Sequence, residues 1–380
     1  NEIEKMREEW RKKAKEVAKS VVAPRAAEID AKGEFPWDIV EVFGQQGFLS
    51  LLIPKEYGGQ DADITSFCIV ADEIAYCCVS SALMIIAHTV GMMPIVLGET
   101  RELKENVLTK IAKEKALVCF CLTEPEAGSD AASIRTKAIL QGDHYLLNGR
   151  KCFITNGGIS DFYTVFAVTN PEKKMEGISV FVMEKGTPGL SVGKTEEKMG
   201  IRGSNTTEVI LENVRVPMTQ RIGEEGVGWW LMMRTLNRSR PAIGALAVGL
   251  AKGALDYIIH FSQERGWAES QNDPLGIRFM LADMAIEIEA ARALVYKAAE
   301  MMDEKVKGTP VQMYSAMSKY FASDVAMKVT TNAVQIMQWH GLVQDHPVER
   351  MMRDAKVIQI FEGTNQIQRM VVAHTLLKPR

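Results

Sequence analysis

Long segments of helical period at both ends of the chain enclose a run of short, β-rich stretches joined by close turns. That order restricts the fold more than any other feature, because the hydrophobic period changes twice along one chain. From Asn1 to about Lys115 the pattern is helical. Lys5–Val22 mixes charged and apolar residues, Asp38–Gln45 follows a Pro36-Trp37 start, Ile64–Tyr76 and Ala82–Leu97 are long and apolar, and Glu102–Lys113 is amphipathic. From about Ala116 to Gly223 the predicted strands are Leu117–Leu122, Ser133–Leu140, His144–Asn148, Lys151–Thr155, Phe162–Thr169, Ile178–Glu184, Leu190–Lys194 and Thr207–Pro217. Turn signals such as Asn148-Gly149 and Pro188-Gly189 separate several of them, and no helix intervenes, which predicts an antiparallel β-domain. From Val227 onward Trp229–Arg265, Gly276–Met302, Gln312–Gln338 and Val348–Leu377 predict an up-and-down bundle. The expectation is an α+β chain of three domains: a helical domain over 1–115, a β-domain over 116–223 and a helical bundle over 224–380.

Composition excludes several classes of function. Forty-five basic residues stand against 48 acidic, a formal charge of −3, so no basic surface for nucleic acid is expected. The apolar stretches break up short of the ~20 residues that cross a bilayer, and the charged, helical opening Asn1–Lys19 is no signal peptide. Cys68, Cys77, Cys78, Cys119, Cys121 and Cys152 lie in apolar segments without a C-x-x-C pair. They read as reduced, buried thiols rather than as a disulfide scaffold or a metal site, and so point to a cytoplasmic or organelle-matrix protein.

Three segments carry chemistry. In Cys119–Asp130 a strand delivers Thr123 into a loop whose Ala127, Gly128 and Ser129 let backbone approach a flat polar ring. An ordinary strand-to-loop exit would use the same letters. In Lys151–Gly158, Phe153 and Thr155 share one strand face and could stack on a ring and bond its edge, although a strand ending in an Asn-Gly turn reads alike. In Arg353–Gln366, Glu362 stands between Phe361 and Gly363. A carboxylate among apolar groups has a raised pKa and suits a general base, while Thr364 as an N-cap offers a purely structural account. No G-x-G-x-x-G joins a strand to a helix, so a dinucleotide would need another cradle.

Together these segments resemble the acyl-CoA dehydrogenase family, near its short- and medium-chain, butyryl-CoA-type members. The family pattern L-T-E-P-x-A-G-S-D is matched at Leu122–Asp130, F/W-I-T-N-G at Phe153–Gly157, K-x-G-x-R-x-S at Lys198–Ser204, and P-V-E-R…R-D-A-K…I-x-E-G-T-x-Q-I-Q-R from Pro347 to Arg369. Similarity runs from about Phe35 to Leu377.

The resemblance implies a helical N-terminal domain, a middle β-domain and a C-terminal four-helix bundle, with FAD between the last two. It implies a homotetramer built as a dimer of dimers, and an electron-transferring flavoprotein as electron acceptor. The implied reaction oxidises an acyl-CoA thioester to a 2-enoyl-CoA, Glu362 removing the α-proton while hydride passes to flavin N5. Phe120, Leu122, Thr123, Ser129, Phe153, Thr155, Thr364 and Gln366 match flavin-contacting positions. Ser129, Gly363, Asn237 and Arg240 match acyl-CoA positions, Asn237 replacing the family's Asp in L-D-x-x-R. Arg265 and Gln335 match residues that reach a neighbouring subunit's FAD. Around them the pattern departs. The Phe and Gly of R-x-x-F-G are Ala268 and Glu269, its following Gln is Gly276, and both glycines of Q-x-x-G-G are lost to Gln338 and Trp339. Two other readings of the same fold are an enoyl-CoA reductase or a CoA-thioester enzyme without net redox change, and a non-catalytic acyl-CoA-binding subunit. Helices around Ile74–Val96, which carry Tyr76, Leu83, Met84, Ile86, Met92 and Met93, are expected to set the acyl pocket. They offer no arginine, so an apolar acyl chain or ring is expected.

Overall fold

The computed structural model describes residues 2–267, 276–306 and 308–378. Helices come first: α1 (Glu2–Val17), α2 (Ala26–Lys32), α3 (Trp37–Gln45), α4 (Ile64–Ala75), α5 (Val79–Leu97), α6 (Arg101–Leu103) and α7 (Thr109–Glu114). Strands follow: β1 (Val118–Cys121), β2 (Lys137–Gln141), β3 (His144–Thr155), β4 (Phe162–Val168), β5 (Ile178–Glu184), β6 (Leu190–Thr195) and β7 (Thr206–Pro217). The chain ends in α8 (Gly228–Glu264), α9 (Ile277–Asp303), α10 (Thr309–Met337), α11 (Val348–Ile358) and α12 (Asn365–Leu377).

Helix α4 starts where the Asp63 carboxylate accepts from Ser66 N at 2.7 Å, which satisfies one of the unpaired amides of the first turn. Helices α5 and α8 are long and apolar enough to cross a membrane by length and composition, contrary to the expectation from the sequence. In this fold 89% and 78% of those stretches are buried, so their hydropathy is that of core helices. One apolar core joins the two helical domains through Ile74, Ile85, Leu246, Leu250, Ile288 and Val329. A second, with Met92, Leu108, Phe166, Val180 and Leu231, seats the sheet against α5 and the start of α8.

The strands form one seven-stranded sheet of order β1-β4-β2-β3-β7-β6, with β5 on β4. It is mainly antiparallel, as expected, but β4 runs parallel to β1 over Val118–Cys121 and meets β2 in parallel at Lys137. Short turns cannot join parallel neighbours; here the intervening β2–β3 excursion carries the chain away and back. The expected turn at Asn148-Gly149 is instead a bulge inside β3, where the register with β7 slips. A Cβ on Gly149 would lie 2.2 Å from Thr136 Oγ1, so the glycine serves close approach of β3 to the segment before β2.

Two of the recognised motifs act as a clasp between domains. Arg353 of α11 donates to Asp30 Oδ2 at 2.6 Å and to the Met199 carbonyl at 2.8 Å. The Asp354 carboxylate accepts from Ile201 N at 2.6 Å, and Arg202 donates to the Asp30 carbonyl at 2.8 Å. Burial pushes Asp354 up to about 7. All six cysteines are free thiols; Cys77 is half-buried and the others are buried.

Candidate functional site

The first half of the site is a platform on the sheet. Strand β1 carries Phe120, whose ring packs 4.8 Å from that of Phe166, and runs out into buried Leu122 and half-buried Thr123. The Thr123 carbonyl accepts from Cys152 N at 2.9 Å, which ties this exit to β3. Beneath it lies fully buried Lys151. Its ammonium donates to the Leu122 carbonyl at 3.0 Å and to Glu124 Oε1 at 2.8 Å. Glu124 also accepts from Arg135 N at 2.6 Å, Thr136 N at 2.9 Å and the Thr136 hydroxyl. Burial alone would raise the Glu124 pKa; Lys151 and these donors outweigh it and hold the carboxyl below its ordinary value.

On this base Phe153 is 64% exposed at φ 54°, at the second register slip of β3, and Asn156 follows at φ 64°. Thr155 shares the Phe153 side, while Cys152 and Ile154 point into the core. A bulky residue held exposed in the left-handed region is a costly arrangement that packing does not require. Ser129 is exposed, and a Cβ on Gly128 would meet nothing within 4 Å. The platform fits a flat, hydrogen-bonding ring system such as a flavin.

The second half lies in the break between α11 and α12, where the predicted segment Val348–Leu377 divides. Glu362 at φ 56° and Gly363 at φ 84° are consecutive left-handed residues. Gln368 Nε2 donates to the carbonyls of both, at 3.2 and 3.0 Å, and Lys319 Nζ of α10 donates to the Gly363 carbonyl at 2.9 Å and to Asn365 Oδ1 at 2.8 Å. At φ 84° a side chain at position 363 would be strained, and its Cβ would press on Gln368 Nε2 at 2.7 Å, so glycine suits the position. The Glu362 carboxylate accepts from Ser239 Oγ of α8 at 3.1 Å. Burial raises its pKa, against the opposing pull of Ser239, Arg240 and Lys319. Burial likewise pushes Lys319 down to about 7 and Arg240 down to about 10. A carboxylate of raised pKa with a hydroxyl at one oxygen can take a proton from a weak carbon acid.

The other expected residues fall as follows. Thr364 is the N-cap of α12, its Oγ1 accepting from Ile367 N at 3.3 Å, and Gln366 is exposed. Asn237 and Arg240 are buried and bonded to each other at 3.1 Å. Exposed Arg265 lies over the Phe261 ring, 4.3 Å from its centroid. Gln335 is exposed on α10, which ends at Gln338 with φ 53°. Trp339, 65% exposed, stacks on His340 at 3.6 Å, and His340 packs edge-on against Phe261 at 5.4 Å. Arg265 and the Trp339 segment therefore share one patch. Ala268 and Glu269 lie outside the described residues.

Sequence reasoning missed Ser239, Lys319, Gln368 and the Lys151–Glu124 pair. Lys319 left a signal: it stands on the buried α10 face of Ser315, Ala322 and Ala326, where a lone cation needs a reason. A small cavity of about 10 Å³ adjoins Ser239 and is lined by Leu52, Phe67, Thr89, Val90, Met93, Thr235, Arg238 and Ser239. Of the residues expected around the acyl chain, Met93 lines this cavity, Leu83, Met84, Ile86 and Met92 are buried in the core, and Tyr76 bonds Asp256 at the surface.

Comparison with known proteins returns one family. Its models, described as the acyl-CoA dehydrogenase N-terminal, middle and C-terminal domains, match residues 4–115, 119–214 and 226–377. A probable acyl-CoA dehydrogenase of Mycobacterium tuberculosis is 48% identical over 98% of this chain and 95% of its own length. The butyryl-CoA dehydrogenase of Megasphaera elsdenii superposes with a TM-score of 0.92 at 38% identity, covering 98% of both chains. A chain from a structure described as the electron transferring flavoprotein of Acidaminococcus fermentans superposes at 0.94, with 40% identity over 98% of both.

Proposed function

The chain belongs to the acyl-CoA dehydrogenase family, and from that premise we propose that Glu362 is the base that removes the α-proton of a bound acyl-CoA thioester. The enzyme is an FAD-dependent flavoprotein oxidoreductase. When bound, FAD supplies the two-electron acceptor for the β-hydride. The observation that carries the reading is the Glu362–Gly363 loop. Its left-handed backbone is cinched by Lys319 and Gln368, and Ser239 orients its carboxylate. A raised pKa brings the base nearer the acidity of the carbon acid. The Glu362 N–H has no acceptor among the described residues, so it is free to stabilise the thioester oxygen as negative charge develops.

Thr123 and Thr155 would bond the edge of the flavin ring and Phe153 would lie against it, with Phe120, Leu122 and Ser129 at the rim. Gly363 admits the thioester. Arg265 and Gln335 would hold a neighbouring subunit's FAD in a homotetramer, and Gln338 and Trp339 in place of glycines would require its adenosine end to be held differently. An electron-transferring flavoprotein re-oxidises the flavin. The test is direct: the purified protein is expected to be yellow, and a short acyl-CoA added without oxygen is expected to bleach its flavin band. A colourless protein that still binds acyl-CoA refutes the reading in favour of a non-catalytic subunit.

A further inference from the structure

The ammonium of Lys319 is a charge that its own hydrogen bonds do not require. The side chain is fully buried in the middle of α10, and it donates to the Gly363 carbonyl at 2.9 Å and to Asn365 Oδ1 at 2.8 Å. Both acceptors are neutral, and each has a second donor. Gln368 Nε2 reaches the Gly363 carbonyl at 3.0 Å, and Ser323 Oγ reaches Asn365 Oδ1 at 3.2 Å. A neutral donor would serve the same two bonds. A buried ammonium is costly unless another charge answers it, and no carboxylate lies within ion-pair distance of it among the described residues.

Three charged groups act on it from farther off. Burial works against its proton, Glu362 does most to restore it, Arg240 of α8 opposes, and Asp324 of the same helix adds least. Asp324 is half-buried and already accepts from Gln359 Nε2 and Asn365 Nδ2, each at 2.8 Å. The coupling is mutual. Burial raises the Glu362 pKa, while Ser239, Arg240 and Lys319 hold it down. Ser239 reaches the carboxylate itself, whereas Lys319 bonds the carbonyl of the next residue.

We propose that Lys319 is a positioning residue for the reaction: tied to the Gly363 carbonyl, its ammonium anchors the turn that carries Glu362 and supplies the buried counter-charge that keeps the carboxylate ionised and ready for the α-proton. This rests on the reading of Glu362 as the base. Lys319 makes no bond to the substrate, and the α-proton and β-hydride go where they would go without it. Its effect is on the fraction of enzyme whose base is free. Without the cation, burial holds the proton on Glu362 to higher pH.

Flavin-loaded wild type, Lys319→Met, Lys319→Gln and Lys319→Arg are mixed with butanoyl-CoA without oxygen, and the single-turnover rate of flavin bleaching is followed against pH. An opposite charge at close range moves a carboxylate by about one to three pH units, and Lys319 acts across a carbonyl, so the midpoint is expected to rise by about one unit in Lys319→Met and Lys319→Gln. Both should lose about tenfold below the midpoint and recover toward wild type above it. Lys319→Arg keeps the charge and should keep the midpoint. A uniform loss at every pH with an unmoved midpoint overturns the proposal, because Lys319 then serves the fold alone. A second measurement does not depend on turnover. Urea stability against pH is compared for wild type with Lys319→Met, and for Glu362→Gln with Glu362→Gln/Lys319→Met, so that each difference isolates Lys319. Its lowered pKa makes stability rise with pH between about 7 and the ordinary 10.5. In the Glu362→Gln pair that rise should begin about one unit lower, since no carboxylate then helps to hold the lysine's proton. An equal onset in both pairs overturns the counter-charge and gives that place to Asp324. An earlier onset without bleaching by the thioester supports the counter-charge and refutes the dehydrogenase reading alone.

Discussion

Replacing Lys151 by Met removes the cation beneath the sheet platform proposed to carry the flavin and leaves Glu124 buried, 6% exposed, beside an apolar side chain. Breaking a buried ion pair from one side costs about 3–5 kcal/mol. Glu124 keeps three donors, from Arg135 N, Thr136 N and the Thr136 hydroxyl, which places the cost toward the lower end. The lost bond to the Leu122 carbonyl adds about 1 kcal/mol, so the sum is about 4 kcal/mol. With a urea slope of about 3 kcal/mol per molar, the unfolding midpoint falls by more than about 1 M. The assay is urea unfolding of the flavin-loaded protein, followed by circular dichroism and by flavin release. Flavin should leave first, since Lys151 ties both the Leu122 exit and β3. Glu124→Gln leaves Lys151 as the unpaired member, and burial already lowers its pKa. In that variant the unfolded state binds the proton more tightly, so stability rises with pH through the lowered pKa. The double variant carries no buried charge and should recover much of the loss. A Lys151→Met midpoint within about 0.2 M of wild type, or strict additivity in the double variant, would refute the reasoning.

Two further predictions follow from the clasp and from the patch at the end of α10. Asp354 keeps its proton to about pH 7 in the fold but releases it near its ordinary 3.8 when unfolded. Stability therefore falls as pH rises from about 4 to about 7, and Asp354→Asn, which can still accept from Ile201 N, should remove that fall. At pH 8 the variant should be the more stable by up to about 4 kcal/mol, and an unchanged pH profile in thermal melts would count against the assignment. Arg265→Ala should lower the flavin-to-protein ratio, increasingly so on dilution. A ratio equal to wild type at every concentration would show that Arg265, stacked on Phe261, does not reach a cofactor.

The sequence displayed what local period and short motifs encode. Helical and strand textures located the α–β–α order, and Phe153, Thr155 and Glu362 stood out because each sits in a run of residues that places it on a loop or a strand face. What stayed hidden depends on contacts distant along the chain. Lys151 reads as an ordinary strand residue until Glu124, 27 positions away, is seen beside it. Ser239 and Lys319 gain meaning only when α8 and α10 meet the break before α12. The bulge at Gly149 was mistaken for a turn because Asn-Gly serves both, and the choice is made by Thr136 on the neighbouring segment. The K-x-G-x-R-x-S and R-D-A-K segments matched family patterns, and what they do in the fold, holding three domains together, depends on contacts far apart along the chain.

The most direct test of the account is single-turnover flavin reduction in Glu362→Gln. The amide keeps the shape of the side chain and can still accept from Ser239, but it cannot take the α-proton. With flavin content equal to wild type, the account predicts that anaerobic bleaching by a good acyl-CoA substrate slows by at least ~10²–10⁴-fold. In wild type the rate should rise with pH through a midpoint above the ordinary carboxylate value, because burial raises the Glu362 pKa and the base acts only when deprotonated. That pH dependence should vanish with the carboxylate. Bleaching of Glu362→Gln at a rate within about threefold of wild type would contradict the assignment of the base, and with it the mechanism proposed for this site.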